Sequence, residues 1–210
     1  MGYIRHPWLQ RMDDFSQVDR QLTPQQRLMA VAAYFGLCTF VDQEIGRVLD
    51  VLAISGLEAS TRVIYTSDHG ELLGNHGMWG KMCFHEESVA IPFIVSGNDI
   101  PKGKKENAPI SLVDMYQTFH DSLGANFAND TELPGQSIYK TLENPNYFRP
   151  ILSEYHAAGS ITGGFMLKKG DYKFIHYEGL NPQLFDLKND VQELNDLGTN
   201  PSYSKIINEL

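Results

Sequence analysis

The chain has 210 residues, 42% hydrophobic and 20% charged, with a formal net charge of -9, enough to bury one good core and a small appended layer. The acidic balance disfavours nucleic acid, whose binding needs a basic face, and two cysteines imply no disulfide framework and tolerate a reducing compartment. No apolar run approaches the roughly 18 residues of a membrane span, so no membrane partner is expected. No signal sequence opens the chain, which, if its start is internal, leaves both a cytoplasmic and a bacterial-type periplasmic location open.

In chain order, residues 1–20 read as irregular, with aromatic and basic side chains around His6-Pro7-Trp8. Thr23-Pro24 supplies an N-cap and a proline at the first helical position. From there Leu28, Val31, Ala32, Phe35, Cys38, Val41, Ile45, Val48, Leu49 and Leu52 recur at spacings of three and four, one apolar stripe down a helix ending near Gly56. Such a helix packs on a sheet and delivers the chain to Arg62-Val63-Ile64-Tyr65-Thr66, a β-branched and aromatic run that reads as an interior strand. The helix-then-strand order predicts a crossover connection and an α/β fold with a mostly parallel sheet flanked by helices.

Further on, Ile91 to Ser96 reads as a second buried strand, with Pro92 suited to its start. A turn rich in Gly, Lys and Pro leads to a helix from about Ser111 to Leu123 with Leu112, Met115, Phe119 and Leu123 on one side. Pro134-Gly135-Gln136-Ser137 reads as a loop before a short helical turn around Ile138 to Leu142. Ile151 to Glu154 reads as a strand, and Phe165 to Lys168 with Tyr172 to His176 frames a Lys169-Gly170-Asp171 turn, an antiparallel hairpin. The expected division is an α/β domain over 1–145 and a small antiparallel α+β subdomain over 146–210.

The run from Thr66 to Lys81 carries the chemistry. Asp68 offers a hard oxygen donor, His69 an imidazole nitrogen and Lys81 an ammonium, just past the strand at 62–66. In open α/β sheets, ligands collect beyond the carboxyl ends of the strands, where Asp68 and His69 fall. On its own, Asp-His-Gly also fits a strand cap with an Asx turn. His76 and His85 can act as hydrogen-bond partners or proton donors, though a loop histidine satisfied by backbone or water is the simpler reading. Trp79 can hold a quaternary ammonium by cation–π attraction or simply pack its loop, and Glu86-Glu87 reads as a solvated loop or helix start.

The pattern Ser67-Asp68-His69-Gly70-Glu71 with Leu73-Gly74, Gly77 and Lys81, followed by Phe84, Glu86-Glu87 and Ile91-Pro92-Phe93-Ile94-Val95, resembles the metal-binding segment of sulfatases in the alkaline phosphatase superfamily. The likeness is to choline-sulfatase-like and phosphonate monoester hydrolase-like members. Tyr34-Phe35-Gly36 and Phe40 to Leu49 are similar to the preceding helix of that family, and Ser153-Glu154-Tyr155-His156 and Gln183 to Leu187 with Asp190, Glu193 and Leu194 to its C-terminal segment.

The resemblance implies an alkaline phosphatase-like fold and a sulfuric ester hydrolase, with a phosphodiester or phosphonate ester hydrolase as the alternative. It makes Asp68 and His69 ligands of one divalent metal, calcium or manganese, nitrogen suiting manganese better. Lys81 matches the lysine that holds a sulfate oxygen and offsets charge on the leaving ester oxygen. His156 and Trp79 become substrate contacts. The family's formylglycine arises from the Cys, or a Ser in its place, of a Cys-x-Pro-x-Arg motif, and neither Cys38 nor Cys83 stands in one. The chain therefore looks like the C-terminal half of a sulfatase, its partners being a sulfate ester and an N-terminal half that supplies the nucleophile. A non-catalytic remnant or oligomerisation module is the remaining reading, its sign an apolar face that drives self-association into a homo-oligomer.

Overall fold

The computed structural model describes residues 5–124, 133–143, 149–157 and 159–210. The chain forms two compact units, Leu9–Gly103 and, together, Lys104–Leu210 with the residues up to Trp8. The boundary expected at 145/146 falls outside the described residues.

The Leu9–Gly103 unit corrects the first expectation. Residues 7–21 are not irregular but form helix α1 (Pro7–Ser16) and the single turn α2 (Val18–Gln21). Proline is pre-organised for a first helical turn, and Leu9 and Met12 bury one side of α1. Arg20 then ties α2 back to Asp13 at 2.7 Å and to Asp14 at 2.5 Å. The spacing of apolar residues in so short a segment was too brief to reveal this.

Helix α3 (Pro24–Ile54) begins where expected, with a capping box in which Thr23 accepts from the Gln26 amide and Gln26 accepts from the Thr23 amide. Each bond satisfies a donor that the first turn leaves orphaned. Thr23→Ala is expected to cost about 1 kcal/mol of helix stability, read as lower amide protection over residues 24–30 in hydrogen exchange; unchanged protection there would refute the cap.

The predicted stripe on α3 is not covered: no residue of the helix is buried, and Leu28, Phe35, Val41 and Val48 are 72%, 61%, 46% and 69% exposed. By length and composition alone α3 is long and apolar enough to cross a membrane, although Asp42, Glu44, Arg47 and Asp50 interrupt the apolar run in its second half.

Strand β1 (Arg62–Thr66) follows as expected and pairs with β2 (Phe93–Gly97), in register from Arg62 opposite Gly97 to Thr66 opposite Phe93. The pair is antiparallel. The α/β class holds, but every pairing among the described strands is antiparallel. A parallel crossover needs a strand ahead of its helix, and none precedes α3 among the described residues.

In the other unit, α5 (Asp114–Ser122) buries the opposite side from the one its apolar pattern predicts: Asp114 and Thr118 are buried, while Leu112, Phe119 and Leu123 are exposed. The Asp114 carboxylate accepts from the Ser111 and Gln136 amides at 2.7 and 2.9 Å and from Arg149, and Thr118 accepts from the Ile138 amide at 3.1 Å. These bonds fix α5 to the loop before α6 (Tyr139–Glu143) and to the start of β3 (Ile151–Tyr155). Polar satisfaction, rather than apolar burial, orients this helix.

The hairpin forms as predicted, β4 (Gly164–Lys169) and β5 (Tyr172–Tyr177) turning at Gly170 with φ 61°. With β3 and β6 (Gln183–Asp186) they make a four-stranded antiparallel sheet in the order β3-β4-β5-β6. Met166, Ile175 and Tyr177 supply its buried face, and the Trp8 ring lies 5.1 Å from that of Tyr177.

Candidate metal and anion site

Asp68 and His69 leave the end of β1 side by side. The His69 amide donates to Asp68 Oδ1 at 3.0 Å and the Ser67 hydroxyl to the His69 carbonyl at 2.8 Å, so a local turn does hold the segment. The side chains do more than cap. His69 Nδ1 lies 2.7 Å from the Gly70 carbonyl, which can only accept, so Nδ1 carries the proton and the neutral ring keeps its lone pair on Nε2. That atom is 3.3 Å from Asp68 Oδ2 and 2.5 Å from Lys81 Nζ.

A lone pair and a carboxylate oxygen repel at such a distance unless a positive group serves both. Lys81 is one such group, and a divalent metal is another. Two ligands about 2.0–2.3 Å from one metal and at right angles stand roughly 3 Å apart, close to the spacing of Asp68 and His69. Both residues are open to solvent, with side-chain exposures of 80% and 36%. Among the described residues no group of three His, Cys, Asp or Glu side chains is arranged to hold a metal, so the donors fit part of a coordination shell.

For Asp68, desolvation is the largest single influence and raises its pKa. The nearby His69, the amides of Asp68 and His69 and the Lys81 charge together outweigh it and hold the carboxyl below its ordinary range. It stays ionised as pH falls until that lowered value is passed.

Lys81 is brought to His69 by a tight loop. The Leu72 amide donates to Gly80 O and the Gly74 amide to Met78 O, both at 2.9 Å, while Leu72 and Met78 are buried beneath. Glu71 Oε1 accepts from the Gly80 amide at 2.7 Å and the Leu73 amide at 3.2 Å. Leu73, Gly74, His76, Gly77 and Gly80 all take positive φ, which closes the loop in few residues.

The other candidates separate. Trp79 donates its indole N–H to Asp19 at 2.9 Å, and its ring lies so close to Gly74 that an added Cβ would stand 3.3 Å from it. That matches the packing role more than a ligand contact. His76 and His85 stack with centroids 3.7 Å apart, His76 lying 3.6 Å from Glu87 in the short helix α4 (Glu86–Val89). His156 belongs to the other unit, half exposed, 3.4 Å from Glu154 Oε2 and edge-on to Phe165. His6 stacks on Tyr177 and meets the Asn181 carbonyl at 2.9 Å; burial lowers its pKa, against that carbonyl and Asp196. Glu71, Gly70 and Ser88 are supporting residues the sequence reading gave no role. Glu71 stood in the motif itself, whereas nothing in the sequence marked Ser88.

Known proteins resemble the chain over most of its length. Residues 6–125 match the family model described as Sulfatase, and residues 74–210 match the one described as N-sulphoglucosamine sulphohydrolase, C-terminal. The chain is 35% identical to arylsulfatase K of Mus musculus over 180 residues, covering 80% of this chain and 32% of that protein. It is 32% identical to the choline-sulfatase of Rhizobium meliloti (strain 1021) over 171 residues, covering 80% and 33%. The crystal structure of the phosphonate monoester hydrolase of Agrobacterium radiobacter superposes with a TM-score of 0.77 at 25% identity, covering 89% of this chain and 40% of that one. The chain thus spans about a third of the length of the curated relatives it matches.

Proposed function

The chain belongs to the sulfatase family, and from that premise we propose that it contributes one side of a sulfuric ester hydrolase site: Asp68 and His69 as metal ligands and Lys81 as the anion-holding group. The observation that carries this reading is the meeting of all three side chains at His69 Nε2. A divalent cation held there would add positive charge to polarise an ester oxygen.

The chain's own residues divide the remaining work. Nε2 has one lone pair, so His69 serves either Lys81 or a cation. With His69 committed to a cation, the three N–H donors of Lys81 are available to a sulfate oxygen and to charge growing on the leaving alcohol. The nucleophile is assigned to the remainder of the domain, since no Cys-x-Pro-x-Arg or Ser-x-Pro-x-Arg motif stands in the sequence. The apolar α3 suits burial against that segment, which makes the remainder of the sulfatase domain the natural partner. Manganese is the first metal to test, because an imidazole and a carboxylate suit it better than calcium.

Titration of the chain with manganese, followed by the ion's magnetic resonance signal, tests the ligands. Asp68→Ala is expected to weaken binding by at least about tenfold, and affinity is expected to fall as pH drops far enough to protonate Asp68. Equal affinity in Asp68→Ala and the unaltered chain would sink the assignment. Competition by methylphosphonate that exceeds competition by sulfate at Lys81 would favour the phosphonate hydrolase alternative.

A further inference from the structure

Two limbs of chain build the site, Ser67–Gly70 with both metal-ligand candidates and Gly80–Lys81 with the ammonium, and they are far enough apart in sequence to need a tie. We infer that Ser88 is the positioning residue that joins them, its carbonyl accepting from the Gly70 amide and its hydroxyl donating to the Lys81 carbonyl. The two distances are 2.8 and 2.5 Å. Ser88 lies in α4 and is 2% exposed, so its own end of each bond is shielded from water. Glu71 closes the same limb from its other end through the Gly80 amide.

This inference rests on the metal and anion reading of the site and adds a division of labour. The carbonyl of residue 88 survives any substitution, so it goes on holding Gly70 beneath His69. Only the hydroxyl reaches the lysine limb. Ser88→Ala therefore frees the Lys81 carbonyl from α4, leaving that limb to the bonds at Gly80 and the Cys83 amide, while Asp68 and His69 stay where they are. A residue that merely packs the core would, when changed, disturb both limbs together.

The test uses the full 210-residue chain, nitrogen-labelled at histidine, with the His69 Nε2 resonance as reporter of Lys81 donation. Lys81→Met sets the position of that resonance without a donor. Ser88→Ala is expected to move Nε2 part of the way to the Lys81→Met position, and Ser88→Thr, which keeps the hydroxyl, to return it. Added sulfate should bind Ser88→Ala about fivefold more weakly, the equivalent of one lost hydrogen bond, while manganese affinity stays as in the unaltered chain. An unmoved Nε2 resonance in folded Ser88→Ala overturns the inference. So does an equal loss of sulfate and manganese binding, the mark of a packing role. If the unaltered chain binds neither ion, the parent reading fails, and the Nε2 resonance in ligand-free protein still decides the role of Ser88.

Discussion

Lys173→Met is expected to destabilise the Lys104–Leu210 unit by about 3–5 kcal/mol, the usual result of removing one partner from a buried ion pair. Lys173 Nζ and Glu193 Oε1 are 2.8 Å apart, and neither side chain is exposed at all. Lys173 projects from β5 into the buried side of the sheet, and Glu193, held at φ 52°, comes from the loop after β6. Taking either charge away leaves the other desolvated with its counter-charge gone. Replacing both, as in Lys173→Met with Glu193→Leu, should recover most of the loss, because two apolar side chains need no counter-charge. Guanidinium unfolding of the full chain measures this, with Trp8 fluorescence reporting on the unit through its packing near Tyr177. A loss below about 1 kcal/mol in the single variant, the range of an exposed pair, would contradict the burial of this pair.

Gly70→Ala is expected to weaken manganese binding by more than about tenfold. A Cβ at Gly70 would stand 2.0 Å from the Glu87 carbonyl oxygen and 2.9 Å from its carbon. Both are backbone atoms, so no side-chain rotation relieves the overlap. The limb must move instead, and it carries the Gly70 amide away from Ser88 and the Gly70 carbonyl away from His69 Nδ1. Without that carbonyl the imidazole loses the bond that fixes its tautomer and aims Nε2. Overpacking of this kind costs about 1–3 kcal/mol in stability, while affinity should fall by more than about tenfold because the ligand itself is misplaced. Manganese binding by Gly70→Ala at unchanged affinity would show that the close approach to Glu87 is not what sets His69.

Much of this was legible in the residues. Thr23-Pro24 with Gln26 announces the start of α3, Arg62 to Thr66 is a strand by composition, and Lys169-Gly170-Asp171 between two alternating runs is a hairpin. Each signal is local: a cap, a run of β-branched residues or a turn glycine acts within a few residues of itself. The motif from Ser67 to Lys81 belongs with them, since its run of residue types carries the family resemblance. The resemblance it carries is matched by both family models.

What the sequence left open depends on what packs against what. An apolar stripe on α3 states that something covers the helix, without naming a neighbour, and within this chain nothing described buries it. The same periodicity on α5 pointed to the wrong side, because Asp114 and Thr118 are satisfied by Ser111, Gln136, Ile138 and Arg149, whose approach no local pattern encodes. The sequence by itself determined the long helix α3, the hairpin strands and the family. Only the tertiary structure decided that Ser88 ties two limbs of the site and that Lys173 meets Glu193 in the core, because those contacts join residues brought together by folding and carry no periodic signature along the chain.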